Sequence, residues 1–430
     1  MSALVREIDE TVFETEVLGS ATPVVLDFYS TECPPCEALA PKYDALAELY
    51  GHDLRFVKVF RQGNRALSDK LGVRSSPTVL FFRGGQEVGK RLTGGIKRSE
   101  LAAELDALVP ADRAAAIHAA ATPVETSCDV LILGGGPAGI TAGIYAAQAK
   151  LDTIMVDVGL GGGNLTVTHQ VSNFPGFPKP QPGYMLAHHL LEHAKAAGVK
   201  GRFAAELTRV DLRERVVVLD GVETIRAKKI IVATGSSPRT IGVAGEVEYK
   251  GKGVSYCATC DAKYYEGKHV VVIGGGNSAI EESLFIAKFA SKITVVHQFA
   301  ELQANKHAQE QAFANEKIGF LFQHEPRAFV ASNGRSVDSV VVEDLRTHER
   351  KTIACDGVFV FAGMKPNLEG FGAELELDRF GYVKVDEEMR TSIPGVYAAG
   401  DIVSKRYRQM TTAVSDGTIA SIALSRDLAA

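Results

Sequence analysis

The feature that most constrains this chain is a glycine-rich strand–turn–helix signature that occurs twice. Cys128 to Leu133 is a short apolar run closed by Gly134-Gly135-Gly136-Pro137-Ala138-Gly139, after which Ile140, Ala142, Tyr145 and Ala146 fall at helical spacing. His269 to Ile273 is a second such run, closed by Gly274-Gly275-Gly276-Asn277-Ser278-Ala279. Each run reads as a buried strand and each turn as the entry to a helix. Glycine allows the tight turn and lets backbone approach a pyrophosphate, whose charge a helix N-terminus stabilises. A bare GxGxxG is weak evidence. Here a second strand, Thr153 to Val156, ends at Asp157, an acid about twenty residues on that would accept a hydrogen bond from a ribose hydroxyl. The spacing predicts two dinucleotide sites.

Between the two signatures lies Cys257-Ala258-Thr259-Cys260-Asp261, a CxxC pair followed by an acid, and far upstream lies Cys33-Pro34-Pro35-Cys36. The 430 residues are 46% hydrophobic and 23% charged, enough for several cores and about three domains. A net charge of -5 argues against a nucleic-acid footprint or a polybasic membrane surface. No apolar run approaches the roughly 20 residues of a membrane span, and MSALVREIDE lacks the apolar core of a signal peptide. The expectation is a cytoplasmic chain with reduced thiols and neither nucleic acid nor membrane as partner. Four of its six cysteines form the two CxxC pairs, which in that compartment suggest redox or metal chemistry. No second CxxC or nearby His pair completes a zinc site at Cys33–Cys36, and no metal is expected. Cys128 and Cys355 stand alone beside strand-like runs and read as small buried hydrophobes.

Residues 1–109 form the first expected domain. Thr22 to Tyr29 reads as a buried strand, followed by CPPC and a helix with Leu39, Ala40, Tyr43, Leu46 and Ala47 on one face. Pro34 and Pro35 suit a helix start, and Pro41 is expected to kink it. Cys33 then sits at a helix N-terminus, where unpaired N–H groups and the dipole favour thiolate. Leu54 to Phe60 and Thr78 to Phe82 are further strands. Asp27 on the first strand, the CPPC, Lys58, Ser76-Pro77 and Gly94-Gly95 together resemble thioredoxin. The resemblance implies Cys33 as exposed nucleophile, Cys36 as resolving thiol, Asp27 as buried acid and Pro77 as a cis proline facing the disulfide. Pro-Pro between the cysteines and Glu32 before them depart from the family pattern. Residues 110–126 are alanine-rich and read as a semi-rigid, partly helical spacer, with His118 exposed and without a role.

Residues 127–240 and 366–430 form the second expected domain, with 241–365 inserted as the third. Gly162-Gly163-Asn164-Leu165, Asn173-Phe174-Pro175-Gly176, Ala233-Thr234-Gly235, CATCD and Gly395 through Asp401 occur in order, followed by Arg408-Gln409. Over residues 127–430 this looks like the low-molecular-weight bacterial thioredoxin reductases. The fold expected is α/β: a thioredoxin fold, then two Rossmann-like domains for FAD and NAD(P), the second inserted in the first. The resemblance implies that FAD is held by Gly134, Gly136, Pro137, Ala138, Gly139, Asp157, Gly163, Asn164, Asn173, Ala233, Thr234, Gly235, Gly400, Asp401, Arg408, Gln409 and Met410. It assigns the nicotinamide cofactor to Gly274, Gly276, Asn277, Ser278, Ala279, His297 and Gln298. After Lys292 to Val296, NADPH-dependent relatives carry arginines that grip the 2′-phosphate, whereas this chain has His297, Gln298, Phe299 and Gln303. Without a cation, the phosphate loses its charge-assisted bonds. NADH is favoured over NADPH, with another electron donor as a further reading.

The resemblance implies that hydride passes from nicotinamide to FAD and the electron pair on to Cys257–Cys260. Cys260 would lie nearest the flavin, Cys257 would be the interchange thiol, and Asp261 the acid–base group. Cys257 would attack Cys33–Cys36, and Cys33 would reduce external protein disulfides. A hinge near residues 240 and 365 is implied, because nicotinamide and dithiol share one domain. The tethered domain would be served in cis or across a homodimer. Two alternatives stand beside this: an alkyl hydroperoxide reductase flavoprotein serving a peroxiredoxin, and a flavin-binding scaffold without turnover.

Overall fold

The computed structural model describes residues 4–168, 170–171 and 173–429. They divide into two compact units: residues 4–163, 187–235 and 368–429 make one, and 164–168, 170–171, 173–186 and 236–367 the other.

The first unit begins with a five-stranded sheet in the order Val5–Glu7, Arg55–Phe60, Val24–Tyr29, Thr78–Arg83, Gln86–Thr93, of which the first three strands are parallel. Strand Val24–Tyr29 is central because it is apolar on both faces. Val25 faces one core with Leu39, Tyr43, Leu46 and Leu101, while Leu26 and Phe28 face a second core with Phe13, Val17 and Leu67. Side chains alternate along a strand, so Asp27 points with Val25, toward the CPPC helix. That helix runs Pro34–Tyr50 and continues through Pro41. The alanine-rich stretch is helical over Ala111–Ala120, but the helix is docked rather than free-standing. Ala114 and Ile117 are buried, and Ile117 joins the core beneath the CPPC helix. Arg113 clamps Asp53 and His118 contacts Asp106. One alanine and one isoleucine three residues apart were enough to bury one face. His118 is exposed, as expected, yet bonded.

The same unit holds a seven-stranded sheet. Lys200–Arg202, Thr153–Val156, Val124–Leu133 and Glu223–Val232 lie side by side in parallel, with Val396–Ala398 also parallel to the last. A hairpin, Leu207–Asp211 with Val216–Leu219, extends the edge. The helices Pro137–Gln148 and Met410–Ala429 pack together, and a Cβ at Gly417 would collide with the carbonyl of Ala138.

The second unit is built on a parallel five-stranded sheet in the order Val254–Ser255, Gly357–Val360, His269–Ile273, Lys292–His297, Ile318–Phe322. A three-stranded antiparallel sheet accompanies it. Ser236–Pro238 and Met364–Pro366 pair antiparallel just inside this unit, where the chain enters and leaves it. Among the described residues no helix is long and apolar enough to cross a membrane.

Candidate active site

Four elements hold most of the residues expected to carry the chemistry: two glycine turns and two dithiols. In the first turn Gly134 has φ +108°, which a side chain would not tolerate. A Cβ there would collide with the carbonyl of Ala233 and stand 2.9 Å from the Cα of Thr234, so the turn is packed against Ala233-Thr234-Gly235. A Cβ at Gly139 would collide with the carbonyl of Gly134. Gly136 is the N-cap of Pro137–Gln148 and offers no side-chain cap, which leaves first-turn N–H groups for an anion. Ala138 is buried in that turn. A Cβ at Gly163 would stand 3.0 Å from the Cα of Gly136.

Asp157 ends its strand, as expected, but its carboxylate is engaged by backbone. Oδ2 accepts from Gly135 N at 2.6 Å and Oδ1 from Gly159 N at 2.7 Å. A carboxylate has about four acceptor sites, so a ribose hydroxyl would be an additional donor. Gly400 has φ +84° and its N donates to Asp416 Oδ2 at 3.1 Å. Asp401 Oδ1 is buried without a hydrogen-bond partner, with Lys405 Nζ 4.0 Å away, and burial raises its pKa. A buried orphan oxygen costs free energy unless something bonds it. Arg408 stacks 3.6 Å over the Tyr382 ring and donates to the carbonyls of Asp401 and Val403. Gln409 N bonds Thr412 Oγ1 where Met410 begins the last helix. The uncapped helix, the close-packed glycines and the orphan oxygen fit a flavin dinucleotide. Lys405 and Asp416 were missed in the sequence. Asp416 lies inside a helix, and nothing local marks it as a partner of Gly400.

Asn164 and Asn173 belong to the second unit. Asn164 Nδ2 donates to the carbonyl of Ser236 at 3.1 Å.

The second turn repeats the first with one change. Gly274 has φ +131° and packs on the Phe361 carbonyl and Ala279 Cβ. Gly276 is an uncapped N-cap of Asn277–Ile286, so a pyrophosphate would meet the same free N–H groups. Asn277 Oδ1 accepts from Asn305 N, Ser278 is exposed and Ala279 is buried. His297 ends the strand where Asp157 ends the first. It is buried, and its ring packs so closely on Gly275 that a Cβ there would stand 2.5 Å from Nδ1. Its Nε2 is 3.2 Å from the Glu301 carbonyl. Burial lowers its pKa, so the ring is neutral at physiological pH. Gln298 is exposed.

The dithiols share a local frame. Cys33 and Cys257 are each an extended N-cap, and both pairs are disulfides. Cys33 Sγ accepts from Cys36 N at 3.3 Å and Cys257 Sγ from Cys260 N at 3.2 Å. Cys33 Sγ also lies 3.5 Å from the Ser76 carbonyl, beside the cis Ser76–Pro77 bond. Asp27 is buried, Oδ1 has no hydrogen-bond partner, and burial raises its pKa to about 7 against the opposing pull of Lys58. Asp261 follows Cys260 and its N donates to the Cys257 carbonyl at 3.2 Å. Glu246, missed in the sequence as part of a loop, is fully buried. It accepts from Ile241 N, Gly242 N and the hydroxyl of Tyr256, which precedes Cys257. Burial pushes the free thiols Cys128 and Cys355 up to about 12.

Comparisons with known proteins agree with this layout. Residues 128–417 match the pyridine nucleotide-disulphide oxidoreductase family and residues 4–107 the thioredoxin family. The chain is 41% identical to a thioredoxin reductase of Peptoclostridium litorale over 306 residues, covering 70% of this chain and 96% of that protein. It is 40% identical to a thioredoxin reductase of Bacillus subtilis over 297 residues, covering 69% and 93%. The crystal structure of Lactococcus lactis thioredoxin reductase in its FR conformation superposes with a TM-score of 0.67 at 33% identity, over 70% of this chain and 99% of that one. This family implies FAD and a pyridine nucleotide as cofactors. The chain belongs to the pyridine nucleotide-disulphide oxidoreductase family, as a thioredoxin reductase-like flavoprotein with a thioredoxin domain at its N-terminal end.

Proposed function

We propose that this chain is a flavin-dependent protein-disulfide reductase whose own thioredoxin domain is its first acceptor. The observation that carries the reading is the presence in one chain of two complete dithiols, each with its first cysteine as N-cap and an acid at hand. FAD, when bound, accepts hydride from a nicotinamide and supplies an electron pair to a disulfide. Gly134, Gly136, Gly139, Asp157 and Asp401 hold the flavin dinucleotide, while Gly274, Gly276 and Ala279 hold the nicotinamide cofactor.

Once Cys257–Cys260 is reduced, the Cys257 thiolate attacks Cys33 Sγ. A Cys257–Cys33 bond forms, the Cys33–Cys36 bond breaks and Cys36 leaves as thiolate. Asp27, poised near pH 7, is suited to supplying the proton Cys36 takes up. Cys260 then attacks Cys257 Sγ, which restores the Cys257–Cys260 disulfide and releases Cys33 as thiolate. Asp261 handles the proton at this dithiol. Cys33 next attacks an external protein disulfide, and Cys36 resolves the mixed disulfide.

The donor we favour is NADH. A neutral, buried His297 and uncharged Gln298 and Gln303 support this, because none offers a cation to a 2′-phosphate. A single thioredoxin fold over residues 4–107 supports a general disulfide acceptor over a dedicated peroxiredoxin. The reading includes a cytoplasmic homodimer.

Anaerobic stopped-flow bleaching of the flavin band tests the donor side. NADH is expected to reduce the flavin at much lower concentration than NADPH. Faster bleaching by NADPH would refute the donor assignment, and bleaching by neither would refute the nicotinamide role of the second unit.

A further inference from the structure

The thioredoxin domain does not hang free beside the flavin-binding domain. Lys42, on the CPPC helix, is only 9% exposed. Its ammonium donates to the carbonyl of Ile96 in its own domain at 3.1 Å and to that of Ala204 in the flavin-binding domain at 2.6 Å. A lysine is rarely buried this far, and here burial lowers its pKa. The acceptor is equally unusual. Ala204 has φ +50°, a conformation that non-glycine residues adopt at a cost and that often marks function. Its N donates to the Gly159 carbonyl at 2.6 Å, so the strained residue is held in place while its own carbonyl meets Lys42.

The rest of the junction is complementary. A Cβ at Gly95 would lie 3.5 Å from the Leu160 side chain and 3.8 Å from Ala204 Cβ, so backbone meets side chain there in van der Waals contact. Lys97 lies 3.8 Å from Glu206. Asp220 acts electrostatically on both Lys42 and Arg98. Lys42, Lys97 and Arg98 thus face the acids Glu206 and Asp220 on the edge hairpin and its approach. Next to the dithiol the signs are reversed, with Glu37 2.8 Å from Lys195. In this arrangement Cys33 is 8% exposed and Cys36 7%, so Cys33 is buried here rather than exposed as the resemblance implied.

We propose that the face formed by Leu160, Lys195, Ala204, Glu206 and Asp220 is a docking seat for the chain's own thioredoxin domain, with Lys42 as its latch, and that the domain leaves this seat to pass electrons to other proteins. The delivery half rests on the relay reading above. The seat itself rests on the contacts alone.

Zero-length carbodiimide cross-linking of the full-length protein, read by peptide mass mapping, tests it. Glu37–Lys195 and Lys97–Glu206 cross-links are expected in the wild type. In Lys42→Glu, the Glu37–Lys195 product is expected to fall at least about tenfold, while the Lys70–Glu14 cross-link within the thioredoxin domain (2.7 Å) persists as proof of folding. Glu206→Arg, on the other side of the junction, is expected to lower the Glu37–Lys195 product as well. Absence of both cross-links in the wild type, or persistence of the Glu37–Lys195 product in both variants, would overturn the seat. Purified cross-linked protein is expected to keep flavin reduction by pyridine nucleotide and to lose at least about tenfold in protein-disulfide turnover. Full turnover in that locked form would overturn the requirement for release. If uncross-linked protein fails to reduce protein disulfides, the relay reading fails, while the cross-link pattern still decides the seat.

Discussion

The two dithiols begin alike and are finished differently. In each, an extended cysteine caps a helix and its sulfur accepts from the N–H of the second cysteine. The Cys33 helix is 17 residues long, and both its cysteines are nearly buried. The Cys257 helix has four residues, Cys257 is half-buried and Cys260 is exposed. The acids also arrive by different routes. Asp27 reaches the CPPC helix from beneath, through the sheet, and is buried with an unpartnered oxygen. Asp261 is supplied along the chain itself. The difference teaches that a CxxC fixes only the local sulfur geometry. Burial and the route of the acid differ between them: the Cys257–Cys260 pair is open to solvent, whereas the Cys33–Cys36 pair is covered and has a buried acid beneath it.

The largest break in the comparison is Cys257→Ser. It is expected to lower pyridine-nucleotide-driven reduction of an insulin disulfide at least about 10³-fold while flavin bleaching persists. Insulin turbidity against stopped-flow absorbance checks this, and retained insulin reduction would mean that the two dithiols are not in series.

Asp261→Asn is expected to slow dithiol turnover about 10²-fold, the low end for removing a positioned acid–base group. A low-molecular-weight disulfide assay in a Cys33→Ser, Cys36→Ser background reads it without involving the thioredoxin dithiol.

Asp27→Asn is expected to cost about tenfold in protein-disulfide reduction at pH 7 and to remove an inflection near that pH. Its effect on stability has the opposite sign. The folded pKa, about 7, lies above the ordinary carboxylate value of 3.8. The stabilising contribution of neutral Asp27 is therefore complete below about pH 4 and is lost as pH rises through 7. The asparagine variant should be more stable than wild type at pH 8, by at most about 4 kcal/mol, and the gain should vanish near pH 4. Denaturant unfolding at both pH values measures it.

The smallest expected effect sharpens the contrast with the remaining thiols. Cys128 and Cys355, pushed up to about 12 by burial, should resist alkylation in the native protein at pH 8. Rapid labelling of either would place a third reactive thiol in the molecule.

Much of this was legible in the sequence because its causes are local. Strand–turn–helix units follow from apolar runs and glycines, and the structure keeps Thr153–Val156 and His269–Ile273 at the expected bounds. Cys33 as N-cap followed from two prolines after it. The less legible features are contacts between distant segments. Asp157 is committed to Gly135 and Gly159, and His297 packs on Gly275, because a strand end meets the preceding turn only in the folded sheet. Ile117 turned an apparent spacer into part of a core. Nothing local in the sequence marks Lys42, whose partner Ala204 lies far along the chain.

The most direct test of the account is anaerobic reduction of the full-length protein with a limiting pyridine nucleotide, quenched with an alkylating agent and mapped by mass spectrometry. The account predicts label first at Cys257 and Cys260, then at Cys33 and Cys36, with no label at Cys33 and Cys36 in Cys257→Ser. Label at Cys33 and Cys36 in that variant, or never in the wild type, would contradict a relay through the two dithiols.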